Sequence, residues 1–62
     1  MTLEQLRTNK GFTTEEMAKE MNISTKDYET KEMNPKRIKA EELFKIFNIL
    51  NLSKEEINSF SI

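Results

Sequence analysis

Apolar side chains recur along the chain in short stripes at helical spacing, and each stripe is bracketed by residues suited to start and stop a helix. Leu3 and Leu6 make the first stripe; Met17, Ala18 and Met21 make the second at i, i+1, i+4. A third segment offers a core only Tyr28 and, at its end, Met33, and is the most polar. Leu43, Ile46, Phe47 and Leu50 form the most hydrophobic stripe, which predicts a central core helix. The pattern predicts helices over residues 1–10, 14–21, 25–33 and 40–51, and a short fifth one ending near Ser59. This is an all-α chain.

The starts are marked by a hydroxyl three residues ahead of an acid or amide: Thr2 and Gln5, Thr13 and Glu16, Ser24 and Asp27, Ser53 and Glu56. Apolar pairs flank each at staple spacing, namely Met1 and Leu6, Phe12 and Met17, Ile23 and Tyr28, Leu52 and Ile57. Gly11 suits the left-handed residue after a helix, and Asn22 is the next most natural residue there. Asn34-Pro35 stops the third helix, since proline disfavours helical geometry before it and lacks an N–H. Residues 13–33 therefore read as a helix-turn-helix pivoting on Met21-Asn22-Ile23. No repeat, linker or low-complexity segment stands out.

Sixty-two residues make one domain, residues 1–62, and a chain this short buries only about 60% of its unfolded surface, too little for a deep catalytic pocket. The absence of cysteine and histidine removes disulfides, thiolate zinc sites, the usual general base and the commonest metal ligand. The expectation is no enzyme, no catalytic residue, no metal, no cofactor and no small-molecule ligand. No leader-like apolar run opens the chain and no stretch of about 18 apolar residues occurs, so no membrane partner is expected and the protein is placed in the cytoplasm.

Net charge is −1, but it is unevenly spread: +1 over residues 1–12, −3 over 13–30, +3 over 31–39 and −2 over 40–62. Lys36, Arg37 and Lys39 make the connection after the third helix basic. Glu15-Glu16, Glu41-Glu42 and Glu55-Glu56 fall in first turns, where negative charge meets the positive end of the helix dipole, and that explains them without catalysis. The polar third helix then has two readings. It is either a DNA-reading surface, with the second helix aimed at a phosphate, or a solvated face of a small bundle.

Across residues 3–60 the chain resembles the Cro and phage-repressor helix-turn-helix family, the lambda-repressor-like or Xre type. The resemblance rests on Leu6-Arg7, Lys10-Gly11-Phe12-Thr13, Glu15-Glu16-Met17-Ala18, Asn22-Ile23-Ser24, Tyr28, Glu32, Leu43, Ile46, Leu50 and Leu52-Ser53, which align without a gap. Thr14 stands where the family usually has a phosphate-binding glutamine, Asn22 and Asn34 replace customary glycines, and Phe47 replaces a usual alanine. Lys31 takes a place the family fills with tyrosine, tryptophan or leucine, so that its stem packs while its ammonium reaches outward. Asp27 and Glu29 run against DNA, because acids repel phosphate and accept from few bases, chiefly the cytosine amino group.

The resemblance implies a compact five-helix lambda-repressor-like domain, a Cro-like repressor of bacterial or phage-infected cells that occupies a palindromic double-stranded operator. Thr25, Lys26 and Thr30 would face base edges; Thr14, Lys31, Lys36, Arg37 and Lys39 would hold phosphates. A weak homodimer, formed on DNA, would use Phe44, Ile49, Phe60 and Ile62, which lie outside the inward stripe of the fourth helix or at the chain's end. The alternative is a helix-turn-helix turned to a protein partner through the acidic face of residues 13–30, with little DNA affinity.

Overall fold

A computed structural model describes residues 1–60, in which five α-helices follow in order: α1 Leu3–Asn9, α2 Thr14–Met21, α3 Thr25–Met33, α4 Ala40–Leu50 and α5 Lys54–Ser59. A single 3-10 turn, Pro35–Arg37, lies between α3 and α4. No helix among the described residues is long and apolar enough to cross a membrane.

The caps form as the sequence spacing requires. Thr13 Oγ1 accepts from the Glu16 N–H at 3.1 Å while Glu16 Oε1 accepts from the Thr13 N–H at 2.9 Å. The same reciprocal pair opens α1 at Thr2 and Gln5 and α5 at Ser53 and Glu56. At α3 only half of it forms: Ser24 Oγ accepts from the Asp27 N–H at 3.1 Å. α4 has the other half, with Glu42 Oε1 accepting from the Lys39 N–H at 3.2 Å.

Three of the helix ends are built alike. Gly11, Asn22 and Asn51 take left-handed φ angles of 79°, 59° and 51°. The next residue, Phe12, Ile23 or Leu52, donates its N–H to the carbonyl of Arg7, Ala18 or Phe47 respectively, the Schellman bond of a helix ending. Those three apolar residues pack partly buried against the core, and the residue after each is the cap of the next helix. One six-residue unit therefore turns the chain three times: GFTTEE, NISTKD and NLSKEE. The repeat is short and degenerate, and its structural role exposes it. Asn51 thereby ends α4 rather than extending it.

The core cluster is Leu3, Leu6, Met17, Ala18, Met21, Tyr28, Ile46 and Leu50. α2 lies at its centre, packed on α3 and on α4. Four assignments of apolar side chains change. Met33 is 81% exposed, because it lies about 140° around α3 from buried Tyr28. Leu43, in the first turn of α4, is only half-buried. Ile49 and Phe60 do have places in the core: both pack against it, and the Phe60 ring meets Phe47 edge-on at 5.8 Å and 78°. Phe44 remains 64% exposed, and Ile62 lies outside the described residues.

One polar cross-link runs through this small interior. Arg7, only 8% exposed, donates from Nε to Glu32 Oε2 at 2.8 Å, from Nη2 to Glu32 Oε1 at 3.1 Å, and from Nη1 to the Phe12 carbonyl at 2.7 Å. The bidentate bond to Glu32 holds the guanidinium pKa above its ordinary value against the opposing effect of burial. Tyr28, one turn before Glu32, is fully buried; burial first, and then the Glu32 charge, push its phenol pKa well up.

Removing one partner strands the other charge in the interior, so Arg7→Met or Glu32→Gln alone should cost about 3–5 kcal/mol in urea unfolding. Arg7→Met combined with Glu32→Leu should cost less than the sum of the two single changes. Single losses below about 1 kcal/mol would show that water reaches the pair and relieves it.

Candidate nucleic-acid interface

Tyr28 fixes the rotation of α3, since it is that helix's one buried residue. With it turned inward, helical periodicity carries Lys26, Thr30 and Met33 to the outermost line, with Glu29, Asp27 and half-buried Thr25 on the flanks. The corner at Asn22–Ser24 sets α3 against α2, and it brings Thr14, the first residue of α2, beside Glu29.

Among the residues nominated for base edges, Lys26 and Thr30 are exposed and Thr25 is partly covered. Thr30 Oγ1 donates to the Lys26 carbonyl at 2.9 Å, which leaves its methyl group and lone pairs to face outward. Met33 extends this exposed line by one further turn. Sequence reasoning placed it in or near the core, and only the orientation of Tyr28 reveals it.

The residues nominated for phosphates divide into two groups. Lys36 and Arg37, on the 3-10 turn beyond the end of α3, and Lys39, at the start of α4, are exposed and have no ion-pair partner among the described residues. Thr14 and Lys31 are engaged within the chain. Thr14 Oγ1 donates to Glu29 Oε2 at 3.3 Å, and Lys31 Nζ lies 2.9 Å from Glu42 Oε2. Neither contact was visible in the sequence, because each joins neighbouring helices rather than successive turns of one.

Glu42 is thus shared, one oxygen on the Lys39 N–H and the other on Lys31. The Lys31 ammonium first, and the Lys39 N–H second, hold its carboxyl below the usual range. Glu56 is held down likewise, by the Ser53 N–H and then by Lys10, which lies 3.1 Å away. The acidic pairs of the first turns are therefore structural: one member of each bonds back to a cap residue. No cluster of three or more acidic side chains among the described residues could hold a metal ion. Apart from the α3 face, a shallow depression floored by Phe12 and Ile49 has Glu16, Lys19 and Glu20 on its rim.

Compared with known protein families, with characterised proteins and with solved structures, the chain gives no match.

The lowered carboxyls set an acid limit on stability. Their pKa values in the folded chain lie below the 4.5 of the free groups, so what they contribute is present above pH 4.5 and lost as pH falls through the folded values. Thermal unfolding followed by circular dichroism should show the midpoint dropping below pH 4.5. Glu56→Gln should make that drop shallower, and an unchanged acid limb would assign the effect to other carboxylates.

Proposed function

We propose that this chain is a sequence-specific double-stranded DNA-binding regulator, a Cro-like repressor with a lambda-repressor-like helix-turn-helix at α2 and α3, acting in the cytoplasm by occupying its operator. The observation that carries the reading is that α3 buries Tyr28 alone and turns Lys26 and Thr30 outward, with Met33 one turn further along the same line. An α-helix with its side chains is about 10–12 Å across, which suits the roughly 12 Å width of the major groove. In this reading Lys26 donates to guanine acceptors, Thr25 and Thr30 touch neighbouring base edges, and Lys36, Arg37 and Lys39 hold backbone phosphates at the far end of α3.

The acidic character of residues 13–30 favours a second reading, in which the same fold serves a protein partner. Its supporting observation is the Thr14–Glu29 contact, which puts a carboxylate where the DNA reading needs a phosphate. Salt separates the two, since affinity for duplex falls steeply with salt only when lysine and arginine side chains displace counterions from the phosphates.

Two sets of substitutions test the DNA reading by contrast. Thr25→Ala, Lys26→Ala and Thr30→Ala should each weaken binding to a selected operator by about 1–3 kcal/mol and leave random duplex nearly unaffected. Lys36→Ala and Arg37→Ala should weaken both duplexes alike and reduce the salt slope by about one unit per lost contact. If all five variants keep the wild-type discrimination and slope, α3 does not read DNA.

One such unit covers about half a turn of duplex, so the proposal includes a weak homodimer on a palindromic operator, with half-sites about 10 base pairs apart. Of the four residues nominated for its interface, Phe44 is the one described with a largely free ring. Phe44→Lys should abolish cooperative occupancy in gel-shift titrations while preserving helicity and half-site affinity. Phe60→Lys should instead lower the unfolding midpoint by removing the ring that packs on Phe47. Independent filling of the two half-sites by wild type would end the dimer proposal.

A further inference from the structure

Two side chains that the DNA reading assigns to phosphates are already in contact with carboxylates of the same chain. Thr14 has one hydroxyl proton, and it points to Glu29. A phosphate approaching the start of α2 would meet a negative charge and an oxygen whose proton is engaged. Lys31 still has protons to give, but at 2.9 Å the Glu42 carboxylate neutralises most of its field at phosphate distance. Glu29 is on the exposed flank of α3, and Glu42 is in the first turn of α4 beside Lys31.

We infer that Glu29 and Glu42 act as internal stand-ins for DNA phosphates, holding Thr14 and Lys31 in the free protein and on random duplex and giving them up at a cognate site. The inference rests on the DNA-binding reading above. The two contacts differ in kind from the Arg7–Glu32 pair. That pair is bidentate and nearly closed off from solvent, whereas Glu29 is exposed and Thr14, Lys31 and Glu42 are only partly covered, so that water reaches their contacts and leaves them weak enough to exchange. Non-specific binding to DNA is almost wholly electrostatic, so withholding the two side chains weakens it. Base contacts made at the right sequence offset the cost of releasing them. The stand-ins therefore lower affinity for bulk duplex and set the threshold that a cognate site must exceed.

Isosteric amides provide the test, because glutamine keeps a carbonyl oxygen for Thr14 or for the Lys39 N–H and removes only the charge. Wild type, Glu29→Gln, Glu42→Gln and, as a control for net charge, Glu20→Gln are titrated onto a random-sequence duplex over a series of salt concentrations. Circular dichroism confirms that each is folded, and the surface position of Glu29 keeps that variant informative should Glu42→Gln lose helicity.

At low salt Glu42→Gln should bind about two- to fivefold tighter than the Glu20→Gln control, the range set by the strength of an exposed ion pair. Its salt slope should steepen by about 0.9, the value for one added phosphate contact. Lys31→Met in the Glu42→Gln background should cancel both gains. Glu29→Gln should also bind tighter, with little change in slope, since Thr14 carries no charge. If wild type binds duplex and the two amides bind no tighter than the control, the stand-in role is wrong while the DNA reading survives. If none of the four proteins binds duplex at the lowest salt, both fall.

Discussion

In a chain too short for a large core, the contact on which the others depend is the one between Arg7 and Glu32. It joins α1 to the last turn of α3 across 25 residues and also bonds the corner carbonyl of Phe12, so three elements share one guanidinium. Burying two charges is unfavourable, and the pair is tolerated because all three guanidinium nitrogens find oxygens within hydrogen-bonding distance. Geometry is what the fold gains. Glu32 lies just over one turn beyond Tyr28, so the clamp and the buried ring together hold α3 from behind. The rotation of α3, and hence which residues it exposes, follows from that anchorage more than from its own sequence, which has almost no apolar stripe.

Local rules made much of this legible in advance. The bounds of α2 and α3, the reciprocal caps at Thr2, Thr13 and Ser53, and the left-handed Asn22 all follow from side chains within a few positions of each other, where residue type nearly determines the outcome. Whatever depended on distant residues was not legible. Arg7 and Glu32 look like ordinary surface charges until the chain is folded, and Ile49 and Phe60 look surplus until Phe47 and the core meet them. Met33 misled because a methionine near a helix end is read by type, whereas its exposure depends on an angle measured from Tyr28. At the candidate site, the types and exposure of Lys26, Thr30, Lys36 and Arg37 were readable. The carboxylates on Thr14 and Lys31 were not, since they depend on how closely α2, α3 and α4 approach one another.

The glutamates show how one residue type divides its roles by position. Glu16, Glu42 and Glu56 close caps, Glu32 holds a buried cation, and Glu29 sits on the exposed flank of α3 with a neighbouring hydroxyl. The acidic balance of the chain is therefore mostly an expense of helix starts. It says little about the sign of a partner, and the exposed cations of residues 36–39 are not outweighed where they stand.

The turning unit used at Gly11, Asn22 and Asn51 also governs how the length of this chain can vary. In each, the residue that ends one helix, the apolar plug and the cap of the next are consecutive, so no position is spare. An inserted residue would separate the plug from the cap, and carried into the following helix it would rotate that helix by about 100°, turning its buried face to solvent. The passage through residues 34–39 is different, with a loose 3-10 turn, no left-handed residue and only Ile38 and Pro35 partly covered. Insertions and deletions among descendants of this sequence should therefore gather there, beside the basic side chains, leaving the other three corners at fixed length.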